Sequence, residues 1–165
     1  MSAYRLLYER YEKAMFNTAL RITGNRVDAE DVLQDAFIDA FSQLRSFEGR
    51  STFGAWLRQI VVYKSIGLLK KRKVSFIDPT SGQWDLIPEE TIDETGVEYT
   101  VAGIKAAIAD LPDGYRAVLS LYLLEGYDQE EIAEILKVSH STVRSQYLRG
   151  KQKLLQKLKK VKTHE

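Results

Sequence analysis

DQEEIAEILKVSHSTVRSQYLRGKQKL, running from Asp128 to Leu154, is the stretch whose reading decides the fold. It scans as two helices joined by a tight turn. Asp128 can cap the first helix, and Glu131 three residues later completes a reciprocal capping box. Ile132 and Leu136, with Ala133 and Ile135 beside them, form its apolar face, and Ala133 is small where a second helix must cross closely. Val138 places an apolar residue in the turn. Ser139 or Ser141 then caps a second helix, whose Val143 and Tyr147 lie one turn apart and face inward. Thr142, Arg144, Ser145, Gln146 and Arg149 are expected on its outer face, where they can reach base edges or phosphates. This is the pattern of a helix-turn-helix with the recognition helix in second place. An ordinary helical hairpin in an all-α core could share the spacing, but charge argues against it. Ile135 to His164 holds nine Lys/Arg and no Asp/Glu, whereas a merely solvated face mixes both signs. This end of the chain is read as binding nucleic acid.

Working outward, composition bounds the rest. The 165 residues suffice for one average domain or two small ones, and 44% hydrophobic residues can build a core. The net charge of +1 says little by itself, but the signs are segregated along the chain. Without cysteine there is no disulfide, thiolate catalysis or zinc-finger chemistry. The first residues, MSAYRLLYERYEKAM, interrupt every apolar run with charge, so they are not read as a signal peptide. No apolar run reaches the roughly 18 residues a membrane span needs. The expectation is a soluble cytoplasmic protein without membrane insertion.

The first half reads as three helices. Residues 3–22 carry Leu6, Leu7, Tyr11, Met15, Ala19 and Ile22 at helical spacing, and Gly24 stops the run. A second helix is expected from Asp28, with Ala29, Val32, Leu33, Ala36, Phe37 and Ala40 on the core side. Asp28, Asp31, Asp35 and Asp39 line up on nearly the opposite side. Ile38 also projects outward there, beside Gln34, Asp31 and Asp35. An exposed Ile alone means little, but within a stripe of like charges it suits an anchor for a basic partner surface. The competing reading of these residues is a solvated acidic face. A metal site is weaker, since no His is near and helix-borne carboxylates lack a ligand loop.

A loop through Phe47, Glu48, Gly49 and Arg50 follows, and Ser51 or Thr52 caps the third helix. Phe53, Trp56, Leu57, Ile60 and Val61 form its buried stripe, while Arg58, Tyr63 and Lys64 point elsewhere. The helix ends in Lys70-Lys71-Arg72-Lys73. Aromatic and basic residues together suit single-stranded nucleic acid, where rings stack on bases and cations follow phosphates. Residues 74–99 then hold seven Asp/Glu, no Lys/Arg, two Pro and two Gly, with no helical period. They read as a flexible acidic linker, able to reach about 90 Å when stretched. The tract can fold back on either basic module, or keep the two apart. From Thr100 the helical pattern returns through Val101, Ile104, Ile108 and Leu111. Pro112 opens another helix through Tyr115, Val118, Leu119, Tyr122 and Leu123, closed by Gly126. The expected fold is all-α, with small helical domains at 1–73 and 100–165 joined by the linker at 74–99.

In this order and at these distances, several segments together resemble bacterial RNA polymerase sigma factors. They are Asp28-Ala-Glu-Asp-Val-Leu-Gln-Asp-Ala-Phe37, Ser51-Thr-Phe-Gly-Ala-Trp-Leu57, Leu111-Pro-Asp-Gly-Tyr-Arg116, and Glu131-Ile-Ala-Glu-Ile-Leu136 followed by Thr142-Val-Arg-Ser145. The resemblance covers nearly the whole chain. It is to the short extracytoplasmic-function (ECF) group of the sigma-70 family, which keeps sigma domains 2 and 4.

The resemblance implies partners rather than chemistry. Asp31, Gln34, Asp35 and Ile38 would bind the β′ clamp helices of RNA polymerase core, and the second domain would meet the β flap. The loop from Leu44 to Thr52 and the third helix would capture and melt the −10 element through Phe47, Arg50, Arg58, Tyr63 and Lys64. Thr142, Arg144, Ser145, Gln146 and Arg149 would read the −35 duplex. An anti-sigma factor is a further implied partner, and no cofactor is expected. The chain departs from the family pattern at Tyr63, where Asn is usual, at Gly67, where Asp is usual, and at Lys70, where Arg is usual. Lys137 stands where Gly is common and asks a side-chain-bearing residue for a left-handed backbone. Gln146 replaces a frequent basic residue, trading a phosphate contact for an adenine contact. The main alternative is a helix-turn-helix repressor or activator that binds duplex DNA without polymerase. An enzyme such as a recombinase fits poorly, because the only histidines are His140 and His164 and no phosphate-cradling Gly loop exists.

Overall fold

Capping residues set most of the helix starts. In the computed structural model, which describes residues 2–76 and 99–163, α1 (Ala3–Thr23), α2 (Arg26–Ser42) and α3 (Phe53–Lys71) follow Ser2, Asn25 and Thr52. Each cap's side-chain oxygen accepts a backbone N–H of the first turn. Thr100 does the same for α4 (Val101–Ala109). Pro112 precedes α5 (Asp113–Leu119), which runs into a π-helical turn, Ser120–Leu124. Then come α6 (Gln129–Leu136) and the long α7 (His140–Thr163). No strand occurs among the described residues, so the all-α expectation holds. The chain divides after Lys73 into two compact units. Residues 77–98, nearly all of the expected linker, lie outside the described residues.

The first unit is α1, α2 and α3 packed on one another, with a short 3-10 turn, Leu44–Ser46, between α2 and α3. Its core joins Met15 and Ala19 of α1, Ala29 to Ala40 of α2, and Leu57 and Val61 of α3. The alanines at 19, 29, 36 and 40 are fully buried, so the helix backbones approach closely. Gly54 serves the same end, because a Cβ there would sit 2.8 Å from the Tyr11 ring. Buried hydroxyls find partners on their own helices: Thr23 donates to the Ala19 carbonyl at 2.9 Å and Ser65 to the Val61 carbonyl at 2.8 Å.

Three expectations need correction here. Leu6, placed on the apolar face of α1, is 55% exposed, because at the start of that helix Tyr4 and Tyr8, not Leu6, turn toward α2. The second helix starts at Arg26 rather than Asp28, since Asn25 supplies the cap. Asp28 is buried and does not belong to the open acidic stripe. On a helical wheel it lies only about 40° from Val32, and Arg72 at the end of α3 closes over it with both guanidinium nitrogens.

The second unit holds α4 to α7. Ile108, Leu111, Val118, Leu119, Leu121, Ile132, Leu136, Val143 and Leu148 are buried in it. The helix expected to run through Leu123 changes pitch at its end. Glu125 N–H reaches the Ser120 carbonyl at 2.9 Å, five residues back, which is the wider π turn. Within that turn Leu123 is exposed instead of sitting on the apolar stripe, and Val101 at the start of α4 is exposed too.

Candidate polymerase and nucleic-acid interfaces

The outward face of α2 forms the first candidate surface. Asp31, Gln34 and Asp35 are all exposed, and Ile38 stands 60% exposed among them. Asp39 is not open as expected, because Lys64 of α3 reaches it at 2.6 Å. Beside Ile38 runs a groove of about 580 Å³ lined by Tyr8, Leu33, Gln34, Phe37 and Phe41, with Glu30 and Asp31 at its edge. Tyr4 packs on Phe41 at 4.7 Å and Tyr8 on Phe37 at 4.8 Å, both remaining substantially exposed. Partial burial, followed by the charge and hydrogen bond of Glu12, raises the Tyr8 phenol above its ordinary pKa. The sequence reading passed over Tyr4 and Tyr8. Their four-residue spacing on α1 was the available signal.

The loop before α3 is tied down by rings. Phe47 lies 4.9 Å from Trp56 and 6.3 Å, edge-on, from Phe53. Such offset and edge-on pairs are favourable, so Phe47 is half-buried rather than splayed outward. Arg50 is well exposed and pairs with Glu48 at 2.9 Å. Arg58 is half-buried, Tyr63 is 40% exposed, and Lys64 is held by Asp39. Asp39, Trp56, Gln59, Ile60, Tyr63 and Lys64 together line a shallow groove of about 400 Å³. The structure thus brings Tyr63 and Lys64 together and adds Trp56, expected mainly as core, as a partly exposed wall.

In the second unit the helix-turn-helix forms as read. Asp128 and Glu131 make the full capping box, with backbone bonds of 2.8 and 3.1 Å. Lys137 adopts φ 58° at the end of α6, and the Val138 N–H closes the turn on the Ala133 carbonyl at 3.1 Å. Ser139, not Ser141, caps α7 by accepting the Thr142 N–H at 3.1 Å. Val143 and Tyr147 face inward as expected.

The outer face of α7 differs from the reading. Thr142, Ser145 and Gln146 are 9%, 0% and 5% exposed, while Arg144 and Arg149 are half-buried. Local bonds account for part of this. Thr142 Oγ1 lies 2.8 Å from Ser139 Oγ, and Ser145 donates to the Ser141 carbonyl at 2.9 Å. Gln146 is held differently, as its Nε2 donates to the Phe76 carbonyl at 2.9 Å. Helical spacing cannot foresee that, because it arises 70 residues away. Farther along α7, Lys151 and Lys153 stand over the rings of Tyr147 and Tyr115, and Lys157 pairs with Asp110 at 3.0 Å.

Comparison with known families places both units. Residues 7–74 match sigma-70 region 2, and residues 103–154 match sigma-70 region 4. The chain belongs to the sigma-70 family. Several of its relatives there are sigma factors of the ECF group. The chain is 29% identical over 157 residues to the ECF RNA polymerase sigma factor SigE of Mycolicibacterium smegmatis, covering 93% of this chain and 61% of that protein. To the ECF sigma factor SigW of Bacillus subtilis it is 28% identical over 170 residues, covering 95% and 89%. To the ECF sigma-E factor of Escherichia coli it is 29% identical over 163 residues, covering 91% and 83%. In fold it is similar to the sigma factor RpoE of Bartonella quintana, solved in complex with the anti-sigma factor NepR. That similarity has a TM-score of 0.59 at 22% identity and covers 96% of this chain and 98% of the other. Among the described residues of this sigma factor, no helix is long and apolar enough to cross a membrane.

Proposed function

We propose that this protein is a transcription initiation factor that docks on RNA polymerase core through its first unit and directs the enzyme to promoters. Residues 1–73 act as sigma domain 2, 100–165 as sigma domain 4, and 74–99 span the gap between the −10 and −35 elements. These elements lie more than one duplex turn of about 34 Å apart. The observation that carries the reading is the open Asp31, Gln34, Asp35 and Ile38 surface within the stretch that matches region 2. An exposed Ile ringed by carboxylates fits a basic surface with an apolar recess, here the β′ clamp helices. The Tyr8–Phe37–Phe41 groove extends that surface toward α1.

Arg50, Arg58, Tyr63 and Lys64 serve the melted −10 strand, with Phe47 bracing the loop they flank. In α7, Thr142, Arg144, Ser145, Gln146 and Arg149 serve the −35 duplex, and the flap of the β subunit holds the second unit in place. The protein works in the cytoplasm and performs no catalytic step. Binding energy alone stabilises the opened strand. An anti-sigma factor is the partner expected to compete for these surfaces, as NepR accompanies the Bartonella quintana protein.

The test is a pull-down of core polymerase by Asp31→Lys with Asp35→Lys. Both positions are exposed, so circular dichroism should remain native while polymerase capture is lost. Undiminished capture would remove the reading's foundation.

A further inference from the structure

The contact between Gln146 and Phe76 joins α7 to the residues that directly follow the first unit. Phe76 is 4% exposed and Gln146 5% exposed, and Gln146 Nε2 donates to the Phe76 carbonyl. The other half of the amide, Oε1, is buried with no hydrogen-bond partner among the described residues. The neighbouring Ser75 carbonyl passes 3.2 Å from where a Cβ on Gly114 would stand. Glycine there gives the segment room to lie against the start of α5.

We propose that Val74–Phe76 is an autoinhibitory strap that holds the DNA-reading face of α7 closed, with the Phe76 carbonyl occupying half of the adenine-reading amide of Gln146. The inference rests on α7 being the helix that meets the −35 duplex. A glutamine reads adenine with both ends of its amide, donating to N7 and accepting from the N6 amino group. The Phe76 carbonyl supplies an acceptor in the role of N7. Nothing among the described residues supplies the N6 donor. A buried amide oxygen without a donor is unfavourable, so the closed state is held by an incomplete bond. An adenine edge exchanges that one hydrogen bond for two, and the strap must leave as it binds. The strap thus sets a threshold that a duplex has to clear, since only the open fraction is competent to bind. The held contact is a neutral hydrogen bond with a buried ring, so its strength should depend weakly on salt, unlike phosphate binding.

The experiment uses the full chain and a −35 duplex selected with polymerase. Phe76→Ala should tighten binding of the free protein by about tenfold without changing the ranking of sequences, as expected if roughly one molecule in ten is open. Because Phe76 is buried, a second variant guards against loss of fold. That variant is Gly114→Ala, which keeps Phe76 and sets a Cβ 3.2 Å from the Ser75 carbonyl, closer than the strap can lie undisturbed. Gly114→Ala should likewise tighten binding several-fold while keeping the ranking of sequences. Equal affinities in both comparisons would overturn the strap. Arg149→Ala and Lys153→Ala separate this from failure of the underlying reading. If they weaken binding while the strap variants are silent, only the strap falls. If they too are silent, α7 does not meet DNA and both ideas fall together.

Discussion

Lys137 is one of two lysines, with Lys73, that hold a left-handed backbone among the described residues. It ends α6 with φ 58°, a conformation that costs a side-chain-bearing residue about 1–2 kcal/mol. Lys137→Gly should therefore stabilise the protein by about 1 kcal/mol and raise the midpoint of thermal unfolding by a few degrees. Scanning calorimetry of the two proteins checks it, and a lowered midpoint would mean the Lys side chain contributes more than its backbone costs. Asp28 presents the opposite case. Its carboxylate is buried and closed over by Arg72, so Arg72→Ala leaves a buried acceptor without its charged partner. A loss of about 1–3 kcal/mol is expected in urea unfolding, and Asp28→Ala added to it should restore part of that loss. Additive losses would show that the pair is not coupled. The strain at Lys137 was legible in the sequence, because the turn position demands a left-handed residue. The burial of Asp28 was not, since its position on α2 borders both faces and only the end of α3 decides between them.

At the scale of elements, periodicity served well wherever one face of a helix packs and the other is solvated. The core stripe of α2, the capping box of α6 and the inward Val143 and Tyr147 of α7 were all readable. So was the isolated Ile38, whose 60% exposure sets it apart from the buried stripe. Periodicity failed where a helix changes pitch, as at Ser120–Leu124, and where a distant segment covers a face, as Phe76 does at Gln146. Within α7 the two ends should answer differently to mutation. Gln146→Ala should change preference at one base position, because an amide reads a base edge. Lys153→Ala should weaken all sequences alike and reduce the salt slope of binding by about one. Quantitative binding to a panel of single-base variants at several salt concentrations distinguishes the two. A uniform loss for Gln146→Ala would remove it from base readout.

For the whole molecule, the division of labour follows from charge as much as from fold. The chain carries 24 Lys/Arg against 23 Asp/Glu, yet α7 from Ser141 to Thr163 has no acid at all, while α2 presents an open acidic face. A polyanion is drawn to one end and a basic protein surface to the other. The two-unit division was legible because the composition shifts abruptly after Lys73. The central claim is that the chain lends promoter specificity to polymerase. The most direct measurement is transcription by purified core polymerase on a randomised promoter library, with and without this protein. Transcripts that depend on the protein, and that start downstream of two shared sequence blocks more than one duplex turn apart, are the predicted result. Specific duplex binding by the protein alone, with no dependent transcript from any template, would contradict the account.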